Sequence, residues 1–307
     1  MAESDQHASL REALTEGLSP PVTLNDALLA AVAELSRLGI DSPRLSAELL
    51  AAKALGLTRL ELILRAKDLL PPASLAAFLA LVERRALGEP AAYILGEKEF
   101  YGLDFRVTPD VLIPRPETEL IIEEAQRLFE ADAPLRFADF GTGSGALAVA
   151  LAHAFPQSRG LAIDLSAGAL AVARANAERH NIAARLDFLC ADFTRLDLPP
   201  DSLELVVANP PYVTESEYAA LSPEVRGFEP RGALVSPDAG LAHIHGLAPV
   251  AARALKPNGT LLCEIGCSQG RAVLDFFSDP ALGFAEPVIL RDYAGLDRLL
   301  RAVCSAV

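Results

Sequence analysis

Arg136-Phe-Ala-Asp-Phe-Gly-Thr-Gly-Ser-Gly-Ala-Leu-Ala-Val-Ala-Leu-Ala-His-Ala154 is a strand, a glycine loop and a helix in immediate succession. Arg136–Phe140 reads as a short apolar strand and Ala146–Ala154 as a helix. Between them, Gly141-Thr-Gly-Ser-Gly145 lets the backbone turn sharply and approach a ligand with no Cβ in the way. In open α/β sheets ligands bind outside the C-terminal ends of the strands, where this loop falls. The spacing is G-x-G-x-G, not the G-x-G-x-x-G of a dinucleotide fold, and no Gly-Lys-Ser/Thr follows, so it is not a P-loop. Downstream the alternation repeats. Residues 160–163 read as a strand and 167–180 as a helix, then come strands at 185–189 and 203–208, with further candidates at 260–265, 287–291 and 296–302. This pattern predicts an α/β domain with a parallel, doubly wound sheet and helices on both faces.

The preceding third of the chain has a helical period. Residues 1–20 show no clean apolar repeat and read as a loosely ordered leader. Thr23 with Asp26 resembles a capping box, Leu28, Leu29, Val32 and Leu35 recur at helical spacing, and Gly39 closes the helix. Ser42-Pro43 opens a second helix that runs through Leu45, Leu49 and Leu50 to Gly56, and Thr58-x-x-Glu61 caps a third. After Pro71-Pro72, Leu75, Phe78, Leu79 and Val82 stripe a fourth, ending near Gly88-Glu-Pro90. Tyr93, Ile94 and Leu95, then Phe100, Tyr101, Leu103, Phe105 and Val107, split at Gly96-Glu97, read as a β-hairpin. The expected organisation is a leader (1–20), a helical partner-docking domain (21–90), a hairpin linker (91–115) and the α/β domain (116–307).

Length and composition bound the function. At roughly 150 residues per domain, 307 residues fit about two domains. A content of 51% hydrophobic and 22% charged residues excludes wholesale disorder and a small disulfide scaffold. The net charge is −14, and because residues 21–90 balance and 1–20 carry −3, the remaining −11 lies in 91–307. That argues against a surface that embraces nucleic acid non-specifically. Cys190, Cys263, Cys267 and Cys304 fit neither a zinc knuckle nor a redox pair, and read as free, mostly buried thiols in a reducing compartment. The opening MAESDQHASL is no signal peptide. The longest uncharged run, residues 140–158, holds three glycines, a proline and a histidine, so it is no membrane span. A cytoplasmic protein without a metal site is expected.

Three further strand ends carry polar groups suited to one ligand. Asp164, 25 residues after Asp139, can accept both hydroxyls of a ribose, or cap the next helix in competition with Ser166. Asp192 can accept from an adenine amino group while Phe193 packs on the base; read singly, the pair suits a turn. With Gly141, Thr142, Gly143, Ser144 and Gly145 they form a nucleoside site without a pyrophosphate cradle, which points to S-adenosylmethionine over NAD. At the fourth strand end stands Asn209-Pro-Pro-Tyr212. The residue before a proline is held extended, and a proline offers a carbonyl with no competing N–H. The Asn209 side-chain oxygen and the Pro210 carbonyl can therefore hold the two hydrogens of a planar NH₂ group, with Pro211 and Tyr212 alongside and the Tyr212 ring over its flat face. Such bonds localise the nitrogen lone pair, and no general base is needed before transfer. His243, His245 and Arg84-Arg85 read as structural or solvated. Phe228-Glu-Pro-Arg231 reads equally as a brace or as a closing segment.

With these residues in view, the chain resembles the HemK-type protein-(glutamine-N5) methyltransferases that modify peptide chain release factors. The likeness runs from about residue 23 onward. It includes Ser42-Pro-Arg-Leu-Ser-Ala-Glu-Leu-Leu50, Gly88-Glu-Pro90, Ile113-Pro-Arg-Pro-Glu-Thr-Glu119, the Gly141–Gly145 loop, Asn209–Tyr212, Phe228–Arg231 and Arg291-Asp-Tyr-Ala-Gly295. Asn-Pro-Pro-Tyr is shared with adenine-N6 DNA and guanine-N2 RNA methylases; the Arg115–Glu119 loop and the leading helices narrow it. The resemblance implies a seven-stranded Rossmann-like class I methyltransferase sheet and S-adenosylmethionine as donor. It implies the glutamine of a Gly-Gly-Gln loop as substrate, held by Asn209 to Tyr212, with Asn209 also bordering the cofactor. Gly141–Gly145 and Asp164 would hold the methionine and ribose parts, and Phe193 would cover the adenine. The helical domain would dock the release factor, with no nucleic acid or membrane partner and a monomeric enzyme. The alternatives are a sister enzyme acting on a ribosomal protein, a nucleic-acid amino methylase, and a scaffold without turnover. Val235–Gly240 departs from the family's usual glycine-rich stretch.

Overall fold

The computed structural model describes residues 21–305; the expected leader lies outside them. The chain forms two compact units. One comprises residues up to Gly96 with Ser222–Phe228, the other Glu97–Leu221 with the chain from Glu229 onward.

The first unit is helical. α1 (Leu24–Arg37) and α3 (Arg59–Leu64) begin with the expected capping boxes at Thr23/Asp26 and Thr58/Glu61. α2 (Pro43–Leu55) ends on Gly56 in the left-handed conformation, and α4 (Pro72–Ala86) follows the proline pair. Their shared core joins Leu24, Ala27, Ala31 and Leu35 to Ala47, Leu50, Ala51, Phe78 and Val82. Leu29, expected on the stripe, is 60% exposed. Leu35 is buried and Leu28 and Val32 pack against the core as expected, joined there by the small side chains of Ala27 and Ala31. Residues 91–95, expected as strand, form the short helix α5 (Ala91–Leu95). Arg85 is not solvated: it is buried, donates to the Glu89 carbonyl at 3.0 Å, and pairs with Glu224 at 2.7 Å. Glu224 belongs to α10 (Pro223–Phe228), so a helix from far downstream completes this unit.

The second unit opens with a hairpin of β1 (Glu97–Phe100) and β2 (Leu103–Arg106), its turn at Tyr101-Gly102 and not at Gly96-Glu97. α6 (Glu119–Leu128) precedes a seven-stranded sheet of β3 (Arg136–Phe140), β4 (Arg159–Asp164), β5 (Leu186–Cys190), β6 (Leu203–Ala208), β7 (Leu255–Glu264), β8 (Phe284–Arg291) and β9 (Asp297–Cys304). The order across it is β5-β4-β3-β6-β7-β9-β8. Neighbours from β5 to β7 are parallel, whereas β9 runs antiparallel to both β7 and β8. The all-parallel expectation fails there because five residues join β8 to β9. A parallel crossover needs a dozen or more, and a tight turn can only return antiparallel. Asp292 stabilises that turn by accepting from Ala294 N and Leu296 N, both at 3.0 Å.

Alternation along β6 fills both faces. Leu205 and Val207 pack into one core with Phe137 and α7 (Ala146–Ala154). Val206 and Ala208 pack into the other with Phe140 and α11 (Ala242–Ala254). The chain winds outward from β3 to β5 and then returns to place β6 on β3's other side. Between the C-terminal ends of β3 and β6 the topology leaves a crevice.

Candidate active site

A cavity of about 400 Å³ occupies that crevice. The glycine loop that forms one wall has Gly141, Gly143 and Gly145 all at positive φ. Its amides are already engaged: Gly141 N and Thr142 N donate to the Ile163 carbonyl, Gly143 N to Asp164 Oδ2 and Gly145 N to the Thr142 carbonyl. Four of the five loop amides are thus unavailable to a pyrophosphate, which argues physically against a dinucleotide. Asn176, fully buried in α8 (Ala167–Arg179), steadies the loop by donating to the Ser144 carbonyl at 2.8 Å. It also exchanges hydrogen bonds with both backbone groups of Arg106.

Gly141, Thr142, Gly143, Ser144, Asp164, Asp192, Phe193, Asn209 and Pro211 line the cavity, whereas Gly145, Pro210 and Tyr212 do not. Ser166, not Asp164, caps α8 by accepting from Ala169 N. Each Asp164 oxygen accepts one backbone N–H, from Gly143 and from Ser166, leaving lone pairs for a ligand. Asp192 spends Oδ1 on Thr194 N and Oγ1, and the Thr194 bonds hold its carboxyl below the usual range. The Phe193 ring stacks on Phe140, centroids 5.8 Å apart, and borders the cavity. His243 lines the cavity too; its ring bonds Ser236 at 2.8 Å and burial lowers its pKa.

Asn209 follows β6 directly. Its Nδ2 donates to Thr118 Oγ1 at 3.0 Å, and Thr118 donates to Glu264 Oε2 at 2.6 Å. Glu264, the last residue of β7, receives the Tyr212 hydroxyl on its other oxygen at 3.0 Å. Burial pushes the Glu264 carboxyl up, opposed by the two hydroxyl donors and the charge of Arg298. Glu229 is buried and accepts from Ile113 N at 3.1 Å and from Arg115 at 2.5 Å, so this segment braces the 113–118 loop. Glu264, Asn176 and His243 escaped the sequence reading as site residues. The available signals were an acidic residue ending the apolar run Leu261-Leu-Cys-Glu264 and a lone amide in the alanine-rich Ala173-Arg-Ala-Asn-Ala177.

The four cysteines are free, with Cys190 and Cys267 exposed where mostly buried thiols were expected. Among the described residues no cluster suits a metal ion, and no helix is long and apolar enough to cross a membrane.

Asp139, immediately before the glycine loop, is wholly buried. Desolvation pushes its carboxyl up to about 7, against hydrogen bonds from Thr142 and Ala148. Its Oδ1 has no partner among the described residues. The folded protein therefore keeps a proton that the unfolded chain loses near pH 3.8. Stability should fall as pH rises from about 4 to about 7 and level off above, by on the order of 4 kcal/mol for this group alone. Asp139→Asn should remove that slope, read by comparing urea unfolding of both proteins at pH 5 and pH 8. An equal slope in the variant would assign it to other groups.

The sheet order and the loop at its switch point define a class I methyltransferase. A methyltransferase-domain family model matches residues 137–230, and a PrmC N-terminal domain model matches residues 26–96. Release factor glutamine methyltransferases are similar over nearly the whole chain. That of Nitratidesulfovibrio vulgaris is 47% identical over 91% of this chain and 95% of its own. That of Moorella thermoacetica is 43% identical over 92% and 98%, and that of Geobacter sulfurreducens 42% over 87% and 91%. The chain belongs to the release factor glutamine methyltransferase family. S-adenosylmethionine is the methyl donor, and the cavity fits it. Its charged lining is Asp110, Asp164 and Asp192 against Arg115, a balance that favours a cationic ligand.

Proposed function

We propose that this protein methylates the side-chain amide nitrogen of a glutamine in the Gly-Gly-Gln loop of a peptide chain release factor. The observation that carries the reading is Asn209, set at the end of β6 in the wall of the same cavity as the glycine loop. Asn209 Oδ1 and the Pro210 carbonyl serve as acceptors for the two amide hydrogens, and Pro211 and Tyr212 shape the approach. The same two bonds hold the nitrogen lone pair toward the donor. Asp164 takes the ribose hydroxyls, Asp192 and Phe193 the adenine, and Gly141–Gly145 the methionine end. When bound, S-adenosylmethionine supplies a methyl on a sulfonium, so the amide nitrogen gains carbon as the carbon–sulfur bond breaks and then releases a proton.

The relatives' names support a release factor as substrate. The helical unit is read as its docking surface, supported by Leu60, Ile63 and Leu64, all strongly exposed on the short α3. The carboxylates lining the cavity and the acidic α/β region favour a protein over a nucleic acid. Free thiols agree with a cytoplasmic setting, and we read the enzyme as a monomer, which light scattering tests.

The deciding experiment is transfer of radiolabelled methyl from S-adenosylmethionine to purified release factor, with a Gly-Gly-Ala control. Label on the first and none on the second is expected; label on ribosomal protein or nucleic acid instead would replace the substrate. Asp164→Ala should raise the cofactor Kd roughly 10- to 100-fold, the loss of about 1–3 kcal/mol of hydrogen bonding to a charged group. Calorimetric titration measures it, and an unchanged Kd removes Asp164 from the ribose site.

A further inference from the structure

We propose that Glu264 and Thr118 are positioning residues that fix which way the Asn209 amide faces, turning Oδ1 away from the protein toward the substrate amide. The inference deepens the reading above and rests on it.

An asparagine amide has a donor end and an acceptor end of nearly equal size, so its orientation must be imposed by partners. Glu264 imposes it at one remove. Its two carboxyl oxygens each accept a hydroxyl, Oε2 from Thr118 at 2.6 Å and Oε1 from Tyr212 at 3.0 Å. Each hydroxyl has one proton and has given it to Glu264. Thr118 Oγ1 therefore has only lone pairs left for the Asn209 amide 3.0 Å away, and the group facing it must be Nδ2. The flipped amide would set two acceptors against each other. Nδ2 is thus committed to the protein, and Oδ1 is the group presented to a ligand. The same buried side chain anchors the Tyr212 hydroxyl, so one carboxyl group orders both ends of Asn209–Tyr212. Glu264 is 2% exposed and Thr118 5% exposed, so water does not compete for these bonds. This assigns a purpose to the threonine in Arg115-Pro-Glu-Thr118: from the wall of the same cavity it transmits the direction of the hydrogen bonds to Asn209.

The test reads orientation and turnover separately. In enzyme labelled with ¹⁵N-asparagine, the Asn209 side-chain signals are assigned by their loss in Asn209→Ala. They should show slow exchange in the wild type, move and exchange faster in Thr118→Val and Glu264→Gln, and stay near wild type in Thr118→Ser. On release factor, Thr118→Val should lower kcat roughly 10- to 100-fold, and Thr118→Ser should recover most of it. KM and the cofactor Kd should stay within about threefold, as for an interaction that matters in the transition state. Unchanged Asn209 signals in Thr118→Val would overturn the proposal. So would a loss carried by KM or cofactor affinity, which marks a packing role. If the signals respond as expected while wild-type enzyme leaves release factor unlabelled, the orientation stands and the proposed substrate falls.

Discussion

Replacing Asn209 by alanine is expected to cut turnover by about 10²–10³-fold, the range for deleting one preorganised hydrogen-bonding group from a catalytic site. The cofactor Kd should change little, because the proposed nucleoside contacts come from Asp164, Asp192 and Phe193 at other strand ends. The effect is large because the amide nitrogen is a poor nucleophile whose lone pair is delocalised. Alignment and charge placement are all the protein can contribute. Asn209→Asp keeps an acceptor but sets a carboxylate against the Thr118 hydroxyl oxygen and loses the donor to it, so it should not rescue. Single-turnover methyl transfer alongside calorimetric binding separates the two quantities. A parallel loss of cofactor affinity would move Asn209 into the cofactor site.

Gly240→Ala should be the most damaging small change in the α/β unit. Gly240 has φ +84°, and a Cβ there would lie 2.2 Å from the Tyr212 carbonyl oxygen and 2.5 Å from Gln269 Nε2. Gln269 cannot yield easily. It donates to the carbonyls of Tyr212 and Ala239 while its oxygen accepts from Gly266 N. Strain at positive φ plus forced overpacking should cost about 2–4 kcal/mol. A fall in Tm of about 5–10 °C is expected at this size. Turnover measured well below the melt should fall too, since the residue that must shift is Tyr212. Gly227→Ala is the control, with open space around its Cβ and no positive φ. Similar melting of the two variants would show that the tight contact is not decisive.

Where hydrogen bonding is local, the chain spells out its structure. The capping boxes at Thr23 and Thr58 and the loop after β3 were legible because each needs particular residues within a few positions. On α1 the stripe holds at Leu28, Val32 and Leu35 and fails at Leu29, while Ala27 and Ala31 share the contact face without the bulk that marks a buried residue in sequence. The helix at Ala91–Leu95 was missed because Tyr93, Ile94 and Leu95 have strand propensity and too few residues to show a period. At the cavity, residues next to strand ends could be nominated from position alone. Glu264 could not, since its partners Thr118 and Tyr212 lie 146 and 52 residues away. Directional relays of this kind exist only after the sheet has assembled.

The helix α10 has a consequence for how the chain is made. The helical unit comes off the ribosome first, yet Arg85 meets Glu224 only 139 residues later. At a synthesis rate of about 5–20 residues per second, that interval lasts roughly 7–28 s. During it Arg85 has the Glu89 carbonyl but not its counter-charge, and the bundle rests on its apolar core around Leu35, Leu50 and Phe78. The helical unit is thus finished only after a long delay, and its completion reports that the catalytic half has already been synthesised past the Asn209–Tyr212 loop.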